Sequence, residues 1–104
     1  FTKQDSIVLN LQRACEACID LAMHLVAVNH WGIPQSSRDA FEFLFKHDVL
    51  DRHLTDRMKA MVGFRNVAVH DYQSINLAIL QNILDHHLDD FRQFSKAVLK
   101  QVND

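Results

Sequence analysis

Two glycines, one proline and two cysteines are all that this 104-residue chain holds of the residues that punctuate or staple a fold. So few turn-formers argue against a strand-rich architecture, which needs a turn at every hairpin, and favour helices. The cysteines, Cys15 and Cys18, are too few for a disulfide framework. The longest apolar candidate, Leu21 to Val28, is interrupted by His24 and falls well short of the roughly 20 residues a membrane span needs. No signal-peptide pattern is visible, so a reduced cytoplasm is the expected compartment. An excess of one charge is missing as well. The formal net charge is −2, which excludes the broad basic footprint of a sequence-independent nucleic-acid coat and confines any such contact to a local patch. The chain begins with Phe1 rather than Met, so a few native residues are expected ahead of it.

What is present is a patterned, ordinary soluble composition, 48% hydrophobic and 23% charged. The length suits one domain, residues 1–104, with a single packed core. From about Asp5 to Asn29, apolar residues fall at Ile7, Leu11, Ala14, Cys18, Leu21, Leu25 and Val28. Steps that alternate between four and three are the seam of a bundle helix, and Val8, Cys15, Ala22 and Val26 widen it. Gly32 and Pro34 are expected to stop that helix, and Ser36 or Ser37 to cap the next. The second helix, about Arg38 to His47, carries Phe41, Phe43 and Phe45, which cannot share one face. It is either buried on two sides or turned towards another chain.

A third helix begins near Asp51 or Thr55, with a stripe of Leu54, Met58, Met61, Arg65 and Ala68. A fourth, about Ser74 to Val102, repeats the seam from Leu77 through Leu80, Leu84, His87, Phe91 and Phe94 to Val98, with Ser74 as its expected cap. Four amphipathic segments on short links predict an all-α fold, an antiparallel bundle of about four helices.

One residue breaks the pattern. Arg65 occupies a position where the stripe expects an apolar side chain. Arginine is almost never fully buried unless paired, and such a break is expected at a functional or interface site. Five residues later comes His70, and two further on Tyr72. Together they offer a fixed cation, a group that titrates near neutrality and a phenol, which are parts for chemistry on a phosphodiester. On a straight helix Arg65 and His70 would lie about 140° apart around the axis. Either the helix ends near Ala68 and turns, or a second copy of the chain completes the site across a two-fold axis. In a dimer, one His70 would take the proton of an RNA 2′-hydroxyl and the other would protonate the leaving 5′-oxygen. Arg65 would hold the non-bridging oxygens, and no metal or other cofactor is required. The bland alternative is an ion-pairing surface arginine and a histidine that favours a helix C-terminus.

The remaining reactive residues read as scaffold. Cys15 and Cys18 have the spacing of half a zinc knuckle but lack a second pair, and both fall on or beside the apolar stripe. His86 and His87, among Asp85, Asp89 and Asp90, read as a solvated face with His87 reaching outward. Lys3, Arg52, Arg57 and Lys59 are candidates for tracking an RNA backbone.

The block Met61-Val62-Gly63-Phe64-Arg65-Asn66-Val67-Ala68-Val69-His70-Asp71-Tyr72 resembles the signature of the HepT-like toxins of the HEPN superfamily. That motif is an arginine, usually a polar residue, several more residues and a histidine, with a tyrosine two places on. Arg65, Asn66, His70 and Tyr72 match each place. The resemblance implies a HEPN-like four-helix-type bundle and a homodimer with a metal-independent endoribonuclease site at its interface. Arg65 and His70 are then catalytic, and Asn66 positions the scissile phosphate or Arg65. The resemblance also implies a partner, a minimal nucleotidyltransferase (MNT) antitoxin that transfers AMP from ATP onto Tyr72. Two other readings fit the same residues: a non-catalytic nucleotide-binding or docking module for a nucleotidyltransferase, and a plain structural bundle.

Overall fold

The computed structural model describes residues 2–103, of which Asn103 is described in its backbone alone. The expectation of residues ahead of Phe1 lies outside them. Five α-helices follow one another: α1 (Lys3–Val28), α2 (Ser37–Lys46), α3 (Arg52–His70), α4 (Leu77–His86) and α5 (Leu88–Asn103). A one-turn 3-10 helix, Tyr72–Ser74, lies between α3 and α4. The all-helical expectation holds, and among the described residues no helix is long and apolar enough to cross a membrane. Twenty-six residues make α1 about 39 Å long, which accounts for the 41 Å long axis of the molecule.

The starts of α1 to α4 each have a side-chain cap that satisfies a free backbone N–H. Thr2 and Asp5 form a reciprocal capping box on α1. Ser36, not Ser37, caps α2, accepting from the Asp39 N–H at 3.1 Å. Asp51 caps α3 at 2.7 Å. Two ends are closed by residues that composition does not flag. At the end of α1, His30 takes φ 55°, and the His30 and Trp31 N–H groups return to the Ala27 and Val26 carbonyls. At the end of α2, Asp48 takes φ 62°, and the Asp48 and Val49 N–H groups return to Phe45 and Leu44. These are paired Schellman closures built on non-glycine residues, whose left-handed backbone costs about 1–2 kcal/mol each. His30 therefore stops α1, rather than Gly32 and Pro34. The two closures meet: the Trp31 ring stacks on His47 at 4.2 Å between centroids, with 6° between planes. Gly32 has its own reason, since at φ 137° an added Cβ would lie 3.1 Å from the Phe43 ring.

The core divides along α1. Towards its C-terminal end, Ala22, Leu25 and Val26 pack with Phe41 and Leu44 of α2, Met58 of α3 and Phe94 of α5. Towards its N-terminal end, Val8, Leu11 and Cys15 pack with Met61, Phe64 and Ala68 of α3 and Leu80 and Ile83 of α4. The seam of α1 is thus rotated from the one expected. Val8, Cys15, Ala22 and Val26 lie at its centre, while Leu21 and Val28 are exposed. On α2, Phe41 is buried, whereas Phe43 and Phe45 are half-buried. The Arg52 guanidinium lies 3.9 Å over Phe45 and the Lys46 ammonium 5.5 Å over Phe43. Cations from the same chain thus help to cover the extra aromatics.

The single last helix expected from Ser74 to Val102 is two helices, broken at His87. Asn76, not Ser74, caps α4, accepting from Ile79 N–H at 2.9 Å. The break has a physical cause in Asp90, the only buried acid among the described residues. Asp90 accepts from Arg57 Nε at 2.5 Å and lies 2.9 Å from His87 Nδ1. Arg57 also donates to the His86 carbonyl, one of those a terminating helix leaves free. His87 therefore turns inward to Asp90 rather than outward to solvent.

Candidate functional site

Helix α3 carries the Arg65–His70 pair, and it runs without interruption to His70. The turn near Ala68 is not there. Asp71 ends the helix with its N–H on the Val67 carbonyl at 2.8 Å, and the 3-10 turn of Tyr72 follows at once. Arg65 lies in the inner stripe with Met61 and Ala68, which are buried. His70, the last residue of α3, is exposed. Helical geometry therefore aims the two side chains apart by about 140°.

Arg65 is half-buried, and its Nε is enclosed without a hydrogen-bond partner among the described residues. Its Nη2 donates to Ser37 Oγ, at the first position of α2, over 3.1 Å. Its charge also reaches Cys15. Burial pushes that thiol up to about 12, Cys18 adds to the rise and Arg65 opposes it. Asn66, the next residue, is half-buried on the same helix.

Tyr72 is 41% exposed and projects its phenol to α1, where it donates to Asp5 Oδ1. Accepting that bond, with help from Thr2, holds the Asp5 carboxyl below its usual value. The same bond raises the Tyr72 phenol, with lesser contributions from burial and the Asp5 charge. An open cleft of about 200 Å³ borders the pair, walled by Val8, Leu9 and Gln12. The chain thus gathers its motif in two places: Arg65 with Ser37 between α2 and α3, and Tyr72 with Asp5 at the start of α1. His70 stands on the surface between the two in sequence. Val67 and Val69 near it on α3, and Leu77 and Ile79 of α4, are exposed apolar residues.

Sequence patterning misses Ser37 and Asp5 because each also fits a helix N-terminus, and a capping position alone gives no sign of a long-range contact. Three of the four cations considered for tracking RNA are already paired. Arg52 binds Glu42 at 2.8 Å and Asp56 at 3.2 Å, Lys59 binds Glu42 at 3.2 Å, and Arg57 binds Asp90. Cys15 is buried and Cys18 half-buried, as core packing requires. Among the described residues no three His, Cys, Asp or Glu side chains cluster as a metal site.

Residues 1–98 match the family model "Ribonuclease HepT-like". The chain is 55% identical over 98 residues to the mRNA nuclease HepT of Shewanella oneidensis strain MR-1, covering 94% of this chain and 74% of that one. Its fold superposes with a TM-score of 0.87, at 52% identity, on the tri-AMPylated Shewanella oneidensis HEPN toxin in complex with MNT antitoxin. That match covers 93% of this chain and 73% of the other. A crystal structure of a toxin–antitoxin pair with AMP-PNP matches at a TM-score of 0.85 and 52% identity, over 91% and 72%.

Proposed function

The chain belongs to the HepT-like ribonucleases, and we propose that it is the toxin of a toxin–antitoxin pair: a metal-independent endoribonuclease, silenced when an MNT-type antitoxin AMPylates Tyr72. The observation that carries the reading is Arg65. It is a half-buried cation on the inner stripe of a helix that ends in an exposed histidine, and its bound partner is neutral.

The catalytic site is proposed to form between two copies. Arg65 and His70 of one chain diverge around a continuous helix, so a small phosphodiester meets both only if a second copy turns its own pair towards the first. The exposed Val67 and Val69, within three residues of His70 on α3, supply apolar surface for that contact. In the resulting cleft one His70 removes the proton of the RNA 2′-hydroxyl. The oxygen attacks the adjacent phosphorus, and the other His70 protonates the departing 5′-oxygen. The products are a 2′,3′-cyclic phosphate and a 5′-hydroxyl. Arg65 carries the charge that gathers on the non-bridging oxygens, and Asn66 positions that phosphate or Arg65. Acid–base help of this kind gives typically ~10²–10⁴-fold, and charge stabilisation about 10²–10³-fold more. A nucleotide on Tyr72 would add a negative phosphodiester two residues from His70 and repel the RNA backbone.

The test is cleavage of end-labelled RNA in EDTA by the wild type, Arg65→Ala and His70→Ala. Cleavage by the wild type alone, leaving the cyclic phosphate, supports the reading; equal cleavage by all three overturns it. Tyr72→Phe should cleave like the wild type and stay toxic beside the antitoxin, without the mass gain of AMP. Silencing of that variant through AMP at another residue would remove Tyr72 from the mechanism.

A further inference from the structure

Two arginines of this chain are half-buried, and they are held in opposite ways. Arg57 is clamped by the buried carboxylate of Asp90 at 2.5 Å, so its charge is compensated within the fold. Arg65 has no carboxylate in ion-pair range among the described residues, and its hydrogen-bond acceptor is the hydroxyl of Ser37 at 3.1 Å. The difference is chemical. A carboxylate fixes a guanidinium and cancels its charge together. A hydroxyl fixes its orientation and leaves the charge in place for an anion that arrives later.

Ser37 is free for this task. Capping of α2 falls to Ser36, whose Oγ accepts from the Asp39 N–H. Nor is Ser37 on a loose segment: α2 is anchored by Ala40, Phe41 and Leu44, all buried, within one turn or two of it. The hydroxyl is therefore presented from a rigid element, which is what a group that orients another side chain needs. The Arg65 Nε, enclosed and without a partner among the described residues, is a donor that the fold does not consume.

We propose that Ser37 is a positioning residue of the ribonuclease site, holding the Arg65 guanidinium in place while leaving its charge for the scissile phosphodiester. The inference rests on the reading of Arg65 as the phosphate-binding group. It predicts an order that a structural role would not produce. Ser37→Ala should lower kcat about 5-fold to 10-fold with little change in KM, as loss of one orienting hydrogen bond would. Ser37→Thr, which keeps a hydroxyl, should stay within about 2-fold of the wild type. Ser37→Asp should be the most damaged, by more than about 100-fold, although an acid in the first turn suits a helix and would hold Arg65 more firmly.

The experiment is steady-state RNA cleavage by these three variants beside the wild type and Arg65→Ala, with the melting temperature of each. The order Thr, Ala, Asp in falling kcat, with melting temperatures that do not follow it, supports the proposal. Equal activity across the Ser37 series, with Arg65→Ala dead, overturns the role of Ser37 and leaves that of Arg65 standing. A loss in Ser37→Ala that tracks its melting temperature, with Ser37→Asp fully active, also overturns it. Equal cleavage by the wild type and Arg65→Ala overturns the reading beneath it.

Discussion

The Tyr72 phenol donates to Oδ1 of Asp5, tying the turn after α3 to the first turn of α1 across 67 residues of sequence. The other carboxylate oxygen of Asp5 accepts the Thr2 N–H at 3.1 Å, so both are engaged. The bond depends on the phenolic proton. AMP on that oxygen would remove the donor and set a negative phosphodiester beside a carboxylate, so a modified Tyr72 cannot keep its place against α1.

That bond sets a testable titration, because Tyr72 is the chain's single tyrosine and its ultraviolet signal has one source. Tyr72 should titrate above the ordinary value of about 10, and Asp5→Ala should bring it down towards that value. The stability signs differ. Asp5 is lowered in the folded chain, so its contribution is present above its unfolded value and is lost as pH falls through the folded one. Tyr72 is raised, so its contribution is present below its unfolded value and is lost as pH rises through the folded one. An identical tyrosine titration in Asp5→Ala would show that the bond does not form in solution.

Arg57 should behave as a structural residue. Its removal leaves Asp90 buried and without its cation, and also frees the His86 carbonyl at the α4–α5 break. Breaking a buried pair from one side costs about 3–5 kcal/mol, towards the lower end here because Arg57 itself is 30% exposed. Arg57→Ala should therefore lower the urea midpoint strongly. RNA binding per folded molecule should be unchanged. A stable variant with weakened RNA binding would return Arg57 to the RNA-tracking set.

Helix identity was readable because it depends on local periodicity, and four of the five helices begin within three residues of a recognisable cap. What periodicity could not reveal was which of two overlapping stripes faces inward. On α1 both the Ile7–Leu11–Ala14 set and the Val8–Cys15–Ala22 set are apolar, and the choice belongs to the neighbouring helices. The break at His87 was equally hidden. It is made by Arg57, thirty-three residues before Asp90, and no local window contains both. For the site, Arg65 stood out as a charge in an apolar register. Ser37 and Asp5 did not, since a serine or aspartate in a first helical turn already has an ordinary explanation.

Thiol chemistry offers an independent check of the core. Burial lifts Cys15 to about 12 and Cys18 to about 11, so at neutral pH both are held as unreactive thiols. A disulfide-exchange reagent should label neither at native conditions over minutes, and both on addition of denaturant. Fast labelling of Cys15 in the native protein would mean that the packing of α1 against α3 near Arg65 opens readily.

The proposed two-copy site has a sharper consequence than loss of activity in a variant. If each cleavage needs one His70 as base and another as acid, a dimer with one wild-type and one His70→Ala chain has no working site. Refolding the wild type with about a tenfold excess of His70→Ala should then lower activity per wild-type chain by roughly tenfold, because random pairing leaves few wild-type pairs. A site complete within one chain would keep its activity per wild-type chain at any excess. The exposed position of His70 at the end of α3 makes the comparison clean, since the substitution removes no buried contact. Unchanged activity per wild-type chain would refute the shared site and require Arg65 and His70 of one chain to converge on one phosphate, against their divergence around α3.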